Sequence, residues 1–339
     1  MILPNAARVT ADTPVVYERK LDGHRRNYAE TIGKVLGATV VLGPSPGGLR
    51  TALTARYLVI TTLESAPMFF FALVLARAIV RRRSTVIATR WHVASGRRSA
   101  RAALRRLAHI TLLAVEPIQV LSITPPADDD HSRTPQFIED VEFWDLPQPV
   151  FDHPPTSDLA TAVATARHGR KTIVVLGTLE RSKGLLFLES IFAARPELAQ
   201  HYIIVCCGEV MAPSRADLEP LRLRATVWVD RFLTRDELLS LYPVADIVWC
   251  CYDPSYDVSS GVFGRALQLG RPTLTRTGSI VARIAGRAGH GESVAYADVD
   301  GAAAVLLRRL PAPPRPRNSR FDTVSTSLRR IIMRHLHRS

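Results

Sequence analysis

Cysteine is scarce. The 339 residues hold four, set as the neighbouring pairs Cys206-Cys207 and Cys250-Cys251, each closing an apolar run. Neighbours on a strand point to opposite faces, so neither pair suits a shared metal or a bridge; core packing in a reducing cytosol is expected. The N-terminus lacks a charged segment followed by an apolar stretch and a small-residue cleavage site, so secretion is not indicated. The strongest apolar run, PMFFFALVLA at 67–76, falls short of the ~20 residues a spanning helix needs. No His/Cys/Asp cluster with metal spacing, no GxSxG and no Cys-His nucleophile pattern occurs, so neither a metal nor a resident cofactor is expected. Aromatics make up 7% and do not interleave with the basic runs, which argues against a nucleic-acid module.

What is abundant is positive charge, and it is unevenly spread. Residues 1–110 hold eighteen Lys/Arg against five acids, while 111–339 balance; within the latter, 308–339 carries nine Arg and only Asp322. Such asymmetry favours an anionic partner: nucleic acid, an anionic membrane leaflet or a phosphorylated substrate. An Arg-rich solvated surface without a partner has the same composition.

Short β-rich runs alternate with helical ones, the signature of βαβ units and parallel sheets. Strands are expected at 14–19, 38–43, 57–64 and 85–92, with helices over 24–37, 69–83 and 97–109. Residues 125–157, rich in Pro and acid, read as a linker and not as an element. A second series follows, with strands at 172–177, 202–207, 226–229, 246–252, 272–275 and 293–297. PAPPRPR at 311–317 closes it, before a last basic amphipathic helix. The fold class is α/β, with two Rossmann-like domains: 1–150 (linker about 125–165), 166–310, and a 311–339 tail helix packing back on the first. Ligands of such sheets sit at the strand carboxyl ends, which makes a central cleft between the halves the default site.

Two segments of the second half carry chemistry. In GTLERSKG (177–184) a strand ends at Gly177, a loop brings Arg181 and Lys183, and Gly184 opens a helix; cations beside free N–H groups at a helix start make an anion site. In DIVWCCYDPSYDVSSGVFGRALQLGRP, a strand passes through an irregular loop into a helix at Ser259-Ser260-Gly261. Ser259 or Ser260 can cap that helix, and Gly261 admits a ligand close to the backbone.

Both segments resemble the C-terminal domain of GT-B glycosyltransferases, nearest to the family-4 group that uses nucleotide-diphosphate sugars. The family's G-R-L-x-x-x-K-G loop is matched by G-T-L-E-R-S-K-G, with Lys183 at the lysine and Thr178 in place of the arginine; Arg181 is a candidate substitute. The family's paired glutamates, seven residues apart, fall on Asp257 and Arg265, so the ribose carboxylate is absent. The resemblance implies that Gly177, Thr178, Arg181, Lys183, Ser259, Ser260, Gly261 and Arg265 surround the diphosphate. Phe232 is either a nucleobase contact or a core residue. In the first half, the Gly23-His24 turn resembles the loop over donor phosphates or acceptor. His92 stands where the family places a histidine at the reaction centre. The implied catalytic set is His92, His24 and Asp257.

The resemblance implies transfer of a sugar from a nucleotide-diphosphate sugar, without metal, to a glycan or lipid-linked acceptor in polysaccharide or glycoconjugate biosynthesis. The basic first half suggests a cytoplasmic protein peripheral on the inner membrane face, with 69–83 and 97–109 as candidate leaflet-facing helices; for 69–83 the other reading is a core helix of the sheet, with only its Arg end left to lipid headgroups. A sugar-nucleotide epimerase shares the architecture and stays open as an alternative. An anionic-polymer binder is more remote, and no nucleic acid is expected as a partner.

Overall fold

The computed structural model describes residues 13–21, 25–89, 107–108, 110–126, 135–146, 148–308 and 320–337. The chain divides into two compact units, Met1–Asp145 with Ser319–Ser339 and Leu146–Asn318.

In the first unit the strands are β1 (Val15–Glu18), β2 (Thr39–Leu42), β3 (Tyr57–Ile60), β4 (Arg83–Ala88), β5 (Ile118–Ser122) and β6 (Gln136–Phe137). They pair in parallel in the order β2-β1-β3-β4-β5-β6. Parallel sheets covered on both faces need strands apolar throughout, and β1 and β3 are buried at every position. The helices α1 (Arg25–Leu36), α2 (Pro46–Thr54) and α3 (Pro67–Ile79) connect them. Phe70, Leu73 and Val74 of α3 pack into the core with Tyr17, Leu58, Ile60 and Val86.

Three expectations change here. Helix α3 starts at Pro67, which suits the first helical position, and stops at Ile79, because Arg81 turns into left-handed backbone at φ 54. The Arg82 and Arg81 N–H groups then close onto the Arg77 and Ala78 carbonyls at 2.9 Å. Arg77 is only 1% exposed and Phe70, Leu73 and Val74 are buried, so of the two readings of 69–83 the core helix holds and the leaflet-facing one does not. The stretch 125–157 is not free of elements: β6 pairs with β5, and Ile138, Val141, Phe143, Trp144 and Leu146 are buried. Helix 97–109 lies almost wholly outside the described residues.

The second unit carries β7 (Lys171–Leu176), β8 (Tyr202–Cys207), β9 (Val227–Val229), β10 (Ile247–Cys250), β11 (Thr273–Arg276) and β12 (Glu292–Val294), again all parallel, in the order β12-β11-β10-β7-β8-β9. Its helices include α4 (Asp158–Ala166), α5 (Leu185–Ala194), α6 (Arg235–Val244), α7 (Gly261–Gln268), α8 (Ile280–Ala288) and α9 (Val299–Leu307). All four cysteines are unbridged and buried. Burial pushes the Cys207, Cys250 and Cys251 thiols up to about 12, as core packing requires. Helix α10 (Arg320–Leu336) belongs to the first unit, burying Val324, Leu328, Ile332 and Leu336.

Candidate functional site

Strand order decides which loops meet. In the second sheet the chain runs outward from β7 through β8 to β9, then returns to the other side of β7 as β10. The order reverses between β7 and β10, and beyond the carboxyl ends of two such strands is where open α/β sheets take their ligands. The loops there are 177–184 and 251–260, the two segments singled out by sequence.

Direct contacts bind them together. Gly184, at φ 69, lies so close to the second loop that a Cβ there would collide with the Cys251 carbonyl oxygen. The Asp253 N–H donates to the Ser182 carbonyl at 3.0 Å, and the Trp249 indole N–H donates to the Lys183 carbonyl at 3.1 Å. Gly177 approaches Val262 of α7, where a Cβ would have Val262 Cγ2 at 3.5 Å.

Ser260 caps α7, its Oγ accepting from the Phe263 N–H at 3.4 Å. Tyr252 and Ser260 share a second hydrogen bond of 2.7 Å between hydroxyls. The ring of the same tyrosine lies 4.9 Å from the Lys183 ammonium, and that of Tyr256 only 3.6 Å from it. Tyr252 therefore joins the cation to the helix tip. Gly261, first in the helix, is exposed, and a Cβ there would meet nothing within 4 Å. Through Tyr252 a cation is linked to a helix start with its partial positive charge, whose first residue is an open glycine, a combination suited to an anion.

The remaining candidates are placed as follows. Thr178 is exposed and Ser259 half-buried. Arg181 forms an ion pair with Asp217, and its backbone N–H donates to Ser214 at 3.2 Å. Arg265 donates to Gln268 at 3.0 Å, toward the far end of α7. Asp257 is half-buried, accepting from the Arg276 guanidinium at 3.1 Å and the Ile280 N–H at 2.9 Å; it ties the loop to the start of α8. Phe232 is 82% exposed, which excludes the core alternative. It stands on the loop after β9, two strands or about 10 Å from β7 across the sheet, beside the Arg231–Glu237 ion pair. Gly23, His24 and His92 lie outside the described residues.

Sequence reasoning passed over Tyr252, Tyr256 and Arg276. The first two were visible as aromatics flanking the irregular loop. Arg276, at the end of β11, donates to the Tyr252 carbonyl at 3.1 Å as well as to Asp257, a role set by strand order alone. Among the described residues, no group of three His, Cys, Asp or Glu side chains is arranged to hold a metal ion.

No protein-family model matches the chain, and no curated protein matches it by sequence. Solved structures do. A sucrose-phosphate synthase from Thermosynechococcus elongatus has a TM-score of 0.60 at 13% identity, covering 95% of this chain and 97% of that one. An α,α-trehalose-phosphate synthase (UDP-forming) from Burkholderia xenovorans has 0.57 at 12%, covering 96% and 100%. A protein named as a UDP-N-acetylglucosamine 2-epimerase from Listeria monocytogenes has 0.56 at 11%, covering 97% of each. The fold is thus of the GT-B type, two Rossmann-like α/β units in tandem.

Proposed function

We propose that this protein is a glycosyltransferase that moves a sugar from a nucleotide-diphosphate sugar to a glycan or lipid-linked acceptor. The observation that carries this reading is the meeting of the Lys183 loop with the Ser260-capped tip of α7 at the β7/β10 switch point. As the glycosidic bond to the donor breaks, the leaving nucleoside diphosphate gains negative charge. Stabilising it is an electrostatic task suited to a lysine and oriented backbone N–H groups, and it needs no metal. Phe232 offers its exposed ring to the nucleobase.

Two of the neighbours bear the names of sugar-phosphate synthases, which supports transfer. The epimerase-named neighbour, similar over 97% of the chain, favours a second reading: epimerisation of a nucleotide sugar. A thermal-shift panel of nucleoside diphosphates and their sugars identifies the donor, since a bound ligand raises the melting point by mass action. Release of nucleoside diphosphate only when an acceptor is added is the expected result; a changed sugar without acceptor would instead support epimerisation, and no shift with any nucleotide would end both.

The excess of Lys and Arg in the first unit supports work on the inner face of an anionic membrane, in glycoconjugate or polysaccharide synthesis. No helix among the described residues is long and apolar enough to cross a membrane.

A further inference from the structure

Three helix ends gather at the amino-terminal edge of the first sheet. Arg82, just past α3, donates to the Leu53 carbonyl near the end of α2 at 2.8 Å. Arg83, opening β4, donates to the His335 carbonyl near the end of α10 at 3.3 Å. Tyr57, opening β3, bonds through its hydroxyl to His337 at 3.3 Å and carries the Arg56 guanidinium 5.2 Å from its ring centre.

At the end of α3 Ile79 is 83% and Val80 61% exposed, and Leu53, near the end of α2, is 38% exposed. Next in sequence comes Arg81, an arginine held at φ 54 where glycine sits without strain. Arg56, Arg81, Arg82 and Arg83 lie in the chain segments that make these contacts, Arg50 and Arg334 are exposed on α2 and α10, and among the described residues Arg83 pairs with Glu116 at 3.6 Å. Helices α2 and α3 carry no acid, and the single one on α10, Asp322, is at its opposite end. Three helix carboxyl ends supply only about half a negative charge each, so six guanidiniums leave a clear positive surplus.

We infer that this tip docks the protein on an anionic lipid bilayer, Ile79 and Val80 entering below the headgroups while the guanidiniums hold lipid phosphates. Two protruding β-branched side chains are too little apolar area for a specific protein partner, whereas a bilayer accepts a small wedge when basic residues ring it. The inference rests on the membrane reading above and is independent of sugar transfer. It places the contact at the Arg end of the helix expected over 69–83 and not along its face. It also sets an orientation: the six-residue strand β4 runs away from the tip, so the strand carboxyl ends of this unit stand about 20 Å from the bilayer. The patch anchors the protein and does not feed an acceptor to that edge.

The test is co-sedimentation of the full chain with phosphatidylcholine vesicles, with and without phosphatidylglycerol. Binding that requires the anionic lipid is expected, with Ile79→Ser/Val80→Ser weakening it about tenfold and each arginine replacement about fivefold. Arg81→Gly separates docking from folding: it relieves the strain, so the variant should melt no lower than the parent while binding about fivefold less. Wild-type protein that ignores phosphatidylglycerol overturns the membrane reading together with the patch. Wild-type binding that all these variants retain overturns the patch alone, as does a short DNA duplex that binds equally well and is indifferent to Ile79 and Val80. A nucleotide thermal shift unchanged in every variant keeps the sugar-transfer reading separate from either result.

Discussion

The Lys183 ammonium lies 3.6 Å from the centre of the Tyr256 ring. A cation over an aromatic face at that distance gains about 0.5–2 kcal/mol, depending on its exposure. Tyr252 packs edge-on against Tyr256 at 5.4 Å and bonds to the cap serine of α7, so the tyrosines hold the long lysine side chain beside the helix tip before any anion arrives. Lysine otherwise surrenders about 2 kcal/mol of rotamer freedom when it is fixed. The seat removes part of that cost from binding.

The consequence is measurable by calorimetry with the nucleoside diphosphate that the thermal-shift panel selects. Lys183→Ala should weaken binding about tenfold or more, the loss of a charge-assisted contact. Tyr256→Leu keeps the charge but frees the side chain, and a loss of about threefold is expected. In the Lys183→Ala background Tyr256→Leu should add nothing, because its effect runs through the lysine. Equal affinity of Tyr256→Leu and the parent would leave the tyrosine as packing only.

Gly184 is where the two loops touch, and its φ of 69 already disfavours any side chain. Gly184→Ala adds a Cβ against the Cys251 carbonyl, so the loops must part. A destabilisation of more than about 1 kcal/mol should accompany loss of nucleotide binding, read by urea denaturation and thermal shift. Gly261→Ala is the control: the space there is open, so stability should barely change while a ligand approaching the backbone is obstructed.

Much of this site was legible, for a definite reason. Strands buried on both faces print as continuous apolar runs, so YIIVCC and DIVWC stand out, and the loops after them carry Gly, Ser and Lys in recognisable order. Strand β5 was missed because IQVLS is short and follows a Glu-Pro pair. Strand β6 and the buried Ile138, Val141, Phe143 and Trp144 were hidden among acids and prolines, where no periodicity survives. The Lys183–Tyr252–Ser260 chain could not be read at all from spacing, since it depends on β10 returning to the side of β7. Likewise Arg181 and Lys183 are two residues apart in sequence, yet one pairs with Asp217 and the other rests on tyrosines.

Buried Arg77 should be the most sensitive position of the first unit. Its guanidinium donates to the carbonyls of Ala52, Ala55 and Arg83 at 2.7–2.8 Å and to the Ser84 hydroxyl at 2.9 Å. It thereby closes the end of α2 onto the start of β4, with no carboxylate partner among these contacts. Arg77→Met leaves several buried carbonyls without a donor and should cost about 3 kcal/mol; Arg77→Lys cannot reproduce the planar fork and should fall between the two. Burial lowers the Arg77 pKa to about 10, from 12.5. Folded and unfolded forms are both charged below that value, so the difference between Arg77→Met and the parent should stay flat from neutral pH down to mild acid. Urea midpoints across that range check both statements.

Acid should loosen the Phe232 loop of the second unit through Glu237. Its carboxylate accepts from the Arg231 guanidinium at 2.6 and 2.9 Å and from the Thr234 N–H at 2.9 Å, closing a capping box at the start of α6. The Arg231 hydrogen bonds, then that of Thr234, pull its pKa down to about 2 from 4.5. Asp230, beside it, is lowered as well, first by the Val210 N–H and then by Arg215. A carboxylate whose folded pKa is depressed gives stability that is fully present above the unfolded value and is lost as pH falls toward the folded one. The contribution is therefore present above about pH 4.5 and fades between about 4.5 and 2. Glu237→Gln should be less stable than the parent at neutral pH and should lose less on acidification through that window. Parallel acid limbs for the two proteins, in urea midpoints measured across it, would show that Glu237 does not govern the loop.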